Sequence, residues 1–167
     1  MSTPDASNVL HTGPFSGPTE FAQLIRDALE CAASEGWMEM VWSDANFEEW
    51  PLRESAVVES LNAWSKRGRR LTMLTHSYDS VQRYQARFVE WRIRWDHLIE
   101  CRVCKQLSPT EFPSVLWSPH WYARRLDLAR STGVASYEAQ RRVLQKQELD
   151  ECRRQSSPGF PASTLGL

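Results

Sequence analysis

No apolar run in these 167 residues approaches the roughly 20 that a membrane-spanning helix requires. Neither sign of charge dominates: 20 Lys and Arg stand against 21 Asp and Glu, a formal net charge of −1. That balance argues against a general nucleic-acid binder. There is no internal repeat, and low complexity is confined to the two ends. The opening MSTPDASNVLHTGPFSGP has neither the basic start nor the apolar core of a secretory signal. A cytoplasmic location is therefore expected, with the four cysteines as reduced thiols. A second Cys-x-x-Cys is also missing, so Cys101 and Cys104 do not complete a zinc-binding pattern by themselves.

What is present suits one domain with its own core. Apolar residues make up 41% and charged residues 25%, ordinary globular values. Eight tryptophans are many for this length, and each can bury a large area. Charge is divided along the chain. From Asp27 to Glu59 there are nine acidic residues and one basic residue; from Lys66 to Lys105 there are ten basic and four acidic. Such a division can steer an anionic partner or a second copy, or can mark two solvated helix faces.

Residues 1–16 are rich in Pro, Ser, Gly and Thr and are expected to be disordered, residues 17–154 to form a single α/β domain, and residues 155–167 a flexible tail. Within the domain, Phe21, Leu24, Ile25, Ala28, Leu29 and Ala32 recur at helical spacing between Pro18 and Gly36. Short apolar strands follow at Met38–Trp42, Arg70–Thr75 and Ile99–Cys104. Helices separate them: residues 52–67, closed by Gly68, and residues 78–96, where Val81, Tyr84, Phe88, Trp91 and Trp95 form a stripe. Two more strands lie between Ser114 and Leu128, and a last helix spans residues 137–154. Strands alternating with helices predict a mainly parallel sheet with helices on both faces, plus a C-terminal antiparallel strand pair.

This order, and the texture of GRRLTMLTHSYDSVQRYQARFVEWRIRWDHLIECRV, resemble one half of a phospholipase D-like domain over about residues 20–154. In that family an HxKxxxxD motif supplies a nucleophilic His, a Lys that neutralises phosphate and a supporting Asp. The sites assemble from two halves or two copies. The motif is not intact here. FPSVLWSP puts Phe112, Ser114 and Pro119 at the three positions, and none can do that chemistry. HWYARRLD keeps His120 and Asp127 but sets Tyr122 in place of Lys, and a neutral phenol cannot stand in for an ammonium. The resemblance thus implies a degenerate, non-catalytic member without a cofactor. It would bind a second copy of itself or another protein partner, or an anionic, phosphate-containing ligand; nucleic acid ranks lower.

The ligand-binding candidates are Asp44 and His76, each just beyond a strand where open sheets bind ligands, with Arg124, Arg125 and Arg130 near the final strand. Asp44 would otherwise be a helix cap or turn former, and the three arginines, with Asp127, a structural salt-bridge network. Two alternatives stay open. One is a phosphodiesterase or nuclease-like enzyme that pairs His76 or His120 with Asp44 or Asp127. The other is a zinc-stabilised nucleic-acid module using Cys101, Cys104, His97 and His120. The alternation of Ile99, Cys101 and Val103 suggests instead that these cysteines belong to a strand. Trp50, Trp117 and Trp121, near loops, would be partner anchors if exposed.

Overall fold

The computed structural model describes residues 9–67 and 69–161, so the glycine expected to close the second helix, Gly68, lies outside the described residues. Eight strands and five α-helices follow in order: β1 (Gly13–Phe15), α1 (Pro18–Glu35), β2 (Glu39–Asp44), α2 (Ser55–Ser65), β3 (Arg70–Thr75), α3 (Asp79–Tyr84), α4 (Ala86–Arg94), β4 (Ile99–Val103), β5 (Ser114–Trp117), β6 (Tyr122–Asp127), β7 (Thr132–Ser136), α5 (Ala139–Arg154) and β8 (Ser157–Pro158). The start and stop of α1 follow local chemistry. Pro18 sits in the first turn, where its missing N–H is not needed. Gly36, at φ +68°, closes the helix in the left-handed region and donates its N–H to the Ala32 carbonyl.

The strands form one sheet in the order β1-β7-β6-β5-β2-β3-β4-β8. Only β2–β3 and β3–β4 are parallel; the five other pairings are antiparallel. The expectation of a mainly parallel sheet is therefore corrected. After β4 the chain does not cross over again. It returns as β5 on the far side of β2, and β5, β6 and β7 run on through short turns, which force antiparallel pairing.

Alternate strand residues feed two cores. Met40 and Trp42 pack with α1, α2, α3 and α4, while Val41 between them joins Leu74, Trp117 and Tyr122 against Leu149 and Cys152 of α5. The long helix expected over residues 78–96 is broken at Gln85, whose backbone sits at φ −125°, ψ 56° and whose side chain donates to the Phe47 carbonyl at 3.0 Å. Trp50, Trp117 and Trp121 are all buried, which removes them as exposed anchors.

Both end segments contribute structure. Within residues 1–16, Leu10 is buried and β1 pairs with β7, although residues 1–8 lie outside the described residues. In the C-terminal segment β8 pairs with β4, and Phe160 is buried 5.0 Å from the Tyr78 ring; residues 162–167 lie outside the described residues. Among the described residues no helix is long and apolar enough to cross a membrane.

Candidate functional site

Asp44, the last residue of β2, lies on the sheet face that packs against α1. Arg125 of β6 reaches it from two strands away, with Nη2 donating to Oδ1 at 2.7 Å. The network extends on both sides. Arg125 Nε donates to Ser114 Oγ at 2.9 Å, and Ser114 donates in turn to Asp44 Oδ1 at 2.6 Å. Arg125 Nη1 meets Ser131 Oγ at 3.0 Å and Glu49 at 3.1 Å. Asp44 Oδ2 accepts the Phe47 N–H at 2.8 Å. The guanidinium also lies 4.4 Å over the Phe21 ring. Both charged side chains are almost fully buried, at 4% and 2% exposure. All three Arg125 nitrogens meet protein acceptors, so the cluster ties β2, β5 and β6 together as a structural ion pair.

His76 does not meet Asp44. Its Nδ1 lies 3.2 Å from the Leu107 carbonyl, and Leu107 belongs to the α5 side. Arg124 points to the opposite face from Arg125, where it binds Gln145 and Glu148 of α5. Arg130 is exposed in the β6–β7 turn, 4.0 Å from Asp127. His120 sits in the β5–β6 turn with its ring 5.9 Å from that of Trp37, at the end of the sheet where β2 begins. It is thus a strand's length from Asp44, and Asp127 ends the strand that His120 precedes.

The possible metal ligands are equally scattered. Cys101 packs with Tyr78 on the α1 side, while Cys104 packs with Cys152 on the α5 side. His97 is exposed in the turn before β4, beside Trp95. Burial pushes the Cys101 thiol up to about 11 and that of Cys152 up to about 12, so both stay protonated at neutral pH. Metal binding requires the thiolate. Among the described residues no three His, Cys, Asp or Glu side chains gather as a metal site.

The distribution of surface charge is more informative than any of these residues. Several surface cations are held by carboxylates: Arg26 by Glu54, Arg141 by Glu138, Lys146 by Asp150, Arg153 by Glu100, and Arg154 by Glu151. Arg53, Lys66, Arg67 and Lys105 are exposed with no carboxylate in ion-pairing distance among the described residues. α3 and α4 add three more. Arg83, Arg87 and Arg94 are exposed, and among the described residues no carboxylate lies within ion-pairing distance of them. Arg87 donates only to the Arg53 carbonyl, at 2.9 Å. Arg87 and Arg94 line a shallow cleft of about 300 Å³ between α2 and α4, floored by Trp91 and shared with Glu59 and Glu90. Helical spacing alone would pair Glu90 with Arg87 and Arg94, yet it bonds to neither, and part of the basic excess between Lys66 and Lys105 is exposed here.

The sequence matches no known family model and no curated protein. The fold, by contrast, resembles the solved structure of TrmBL2, an archaeal chromatin protein described as showing a novel mode of DNA binding. The TM-score is 0.66 at 16% identity, over 89% of this chain but 54% of that one. At that identity the likeness is one of fold. The chain spans about half the length of the protein it matches. This finding replaces the phospholipase D-like half-domain, and with it the reading of a degenerate member that binds a protein partner or an anionic, phosphate-containing ligand.

Proposed function

We propose that this domain binds nucleic acid, with the arginine face of α3 and α4 as its contact surface. The observation that carries the reading is the set of exposed guanidinium groups, Arg83, Arg87 and Arg94, without neutralising carboxylates. The net charge of −1 is a sum over the whole chain and does not show how these three are placed. Guanidinium forks suit phosphate oxygens, and unneutralised cations on one face are the electrostatic footprint of a nucleic-acid backbone. The fold likeness to a chromatin protein that binds DNA supports the same direction. The four free cysteines suit a reducing compartment, so this reading puts the domain in the cytoplasm, where nucleic acid is available.

Binding of a labelled oligonucleotide measured across 50–200 mM salt tests the proposal. Three phosphate contacts give a slope of log affinity against log salt of about −2 to −3. Replacing Arg83, Arg87 and Arg94 by Gln is expected to flatten that slope by about as much and to weaken binding at every sequence alike. Wild-type affinity in the triple variant would reject this face.

A finer electrostatic test uses Glu90. Its carboxylate sits on the same face without pairing to the arginines. Glu90→Gln is expected to tighten binding a few-fold at low salt, an advantage that fades as salt rises. Unchanged or weaker affinity would mean that phosphates approach from another side.

A further inference from the structure

Six of the eight tryptophans place their indole N–H on an acceptor. Trp42 and Trp50 do not, although both are buried. Buried polar groups are nearly always paired, so each exception invites a physical account. Trp50 lines a cleft of about 310 Å³ formed by the chain that follows β2 and β3, at the C-terminal ends of the parallel strands. This is the place where open sheets hold their ligands, and the volume is at the lower end of small-molecule pockets.

Gln85 lines the same cleft and carries the complementary exception. Its Nε2 donates to the Phe47 carbonyl at 3.0 Å, which orients the amide and leaves Oε1 buried without a partner. One unpaired donor and one unpaired acceptor therefore belong to residues that line a single cleft, both atoms with almost no exposed surface. The loop that presents Trp50 is held under constraint. Phe47 has φ +58°, rare for a bulky side chain. Asp44 accepts the Phe47 N–H and so ties the loop to the buried Arg125 network.

The rim of the cleft narrows the ligand class. Glu48, which accepts from Ser80 Oγ at 2.8 Å, and Arg53 supply one charge of each sign. The balance suits a neutral group better than a phosphate. Tyr84 also lines the cleft yet is 64% exposed, a flat ring available for stacking. The backbone of Arg53 accepts from Arg87, so the arginine face begins at the cleft wall.

We infer that the cleft receives an unpaired nucleobase. With the Trp50 and Gln85 side chains turned outward into the cleft, the Trp50 N–H donates to a ring nitrogen or carbonyl of the base, Gln85 Oε1 accepts from an amino or imino N–H, and Tyr84 stacks on the base face. Phosphates of the same strand rest outside, toward Arg83 and Arg87. This rests on the nucleic-acid reading above and specifies it as recognition of single-stranded segments, where base edges and faces are free.

The test compares three probes on the intact chain: a single-stranded oligonucleotide, an abasic strand of the same length, and a free nucleoside monophosphate. The base-bearing strand is expected to bind about 10- to 100-fold tighter than the abasic one. Tyr84→Ala, at an exposed position that leaves the core untouched, should erase most of that ratio, and Trp50→Phe should reduce it where the variant folds. The Arg83, Arg87 and Arg94 triple variant should weaken both strands and keep the ratio. Equal binding of the two strands, or a ratio that survives Tyr84→Ala, overturns the base cleft while leaving the phosphate face standing. If neither strand binds but the nucleoside monophosphate binds in a Tyr84-dependent way, the cleft is a base site for free nucleotides and the nucleic-acid reading fails. If none of the three probes binds, both are overturned.

Discussion

Replacing Arg125 by Met should lower stability by about 3–5 kcal/mol, seen as a fall in the urea midpoint at unchanged slope. The magnitude follows from what is left behind. Asp44 is 2% exposed, so without its 2.7 Å partner a carboxylate remains buried with one charge-assisted bond fewer. Ser114 and Ser131 each lose the guanidinium they accept from. Methionine matches the apolar stem and still touches Phe21, so lost packing is a small part of the effect. Adding Asp44→Asn should recover part of the loss, because the buried charge goes and an amide oxygen can still accept from Phe47 N. Non-additivity in this double-mutant cycle measures the coupling directly. A fall below about 1 kcal/mol for Arg125→Met would mean that water enters the network and that it is not a closed tie.

The second large effect concerns a single methyl group. Gly133 of β7 pairs with Arg125, next to the register shift between Arg125 and Asp127. A Cβ at this position would fall inside the van der Waals envelope of the Arg124 carbonyl oxygen and 2.8 Å from Arg125 Cα. Those are backbone atoms of the neighbouring strand and cannot swing aside as a side chain would. Gly133→Ala is expected to cost about 3 kcal/mol, at the upper end for overpacking, through separation of β6 from β7. Thermal unfolding checks the size. Amide exchange should show lost protection concentrated in β1, β6 and β7; a uniform change would contradict this account.

Elements with strong apolar periodicity were legible in the sequence. The α1 stripe from Phe21 to Ala32 and the strand Arg70–Thr75 announce themselves by spacing alone. β7 does not, because TGVAS offers neither alternation nor bulk, and its place depends on the close approach that Gly133 permits. β1 and β8 are two or three residues long and exist only through their partners. The direction of the sheet was missed for a related reason. Strand and helix alternation describes the first half of the chain, but pairing partners between distant strands leave no local trace. At the site, the spacing of Asp44, Arg124 and Arg125 separated the two arginines onto opposite faces, yet nothing local placed Arg125 on Asp44, 81 positions earlier. The basic excess of residues 66–105 was legible, but not which of its arginines lack a carboxylate, because the position of Glu90 suggests pairing that the side chains do not make. The cleft was hidden because its donor and acceptor matter only for the bonds they lack.

The two margins of the sheet have a consequence for behaviour in concentrated solution. One ends in β1, three residues with Pro14 at its centre; the other ends in β8, two residues closed by Pro158. Neither offers a run of free N–H and C=O groups long enough to template a strand from another molecule. The longer, apolar strands β2 and β3 lie deep inside, with both sides taken. Clipping β8 would uncover β4, whose five residues are long enough to recruit a foreign strand, so proteolysis near Ser156 is the step that would turn a well-behaved domain into an aggregating one.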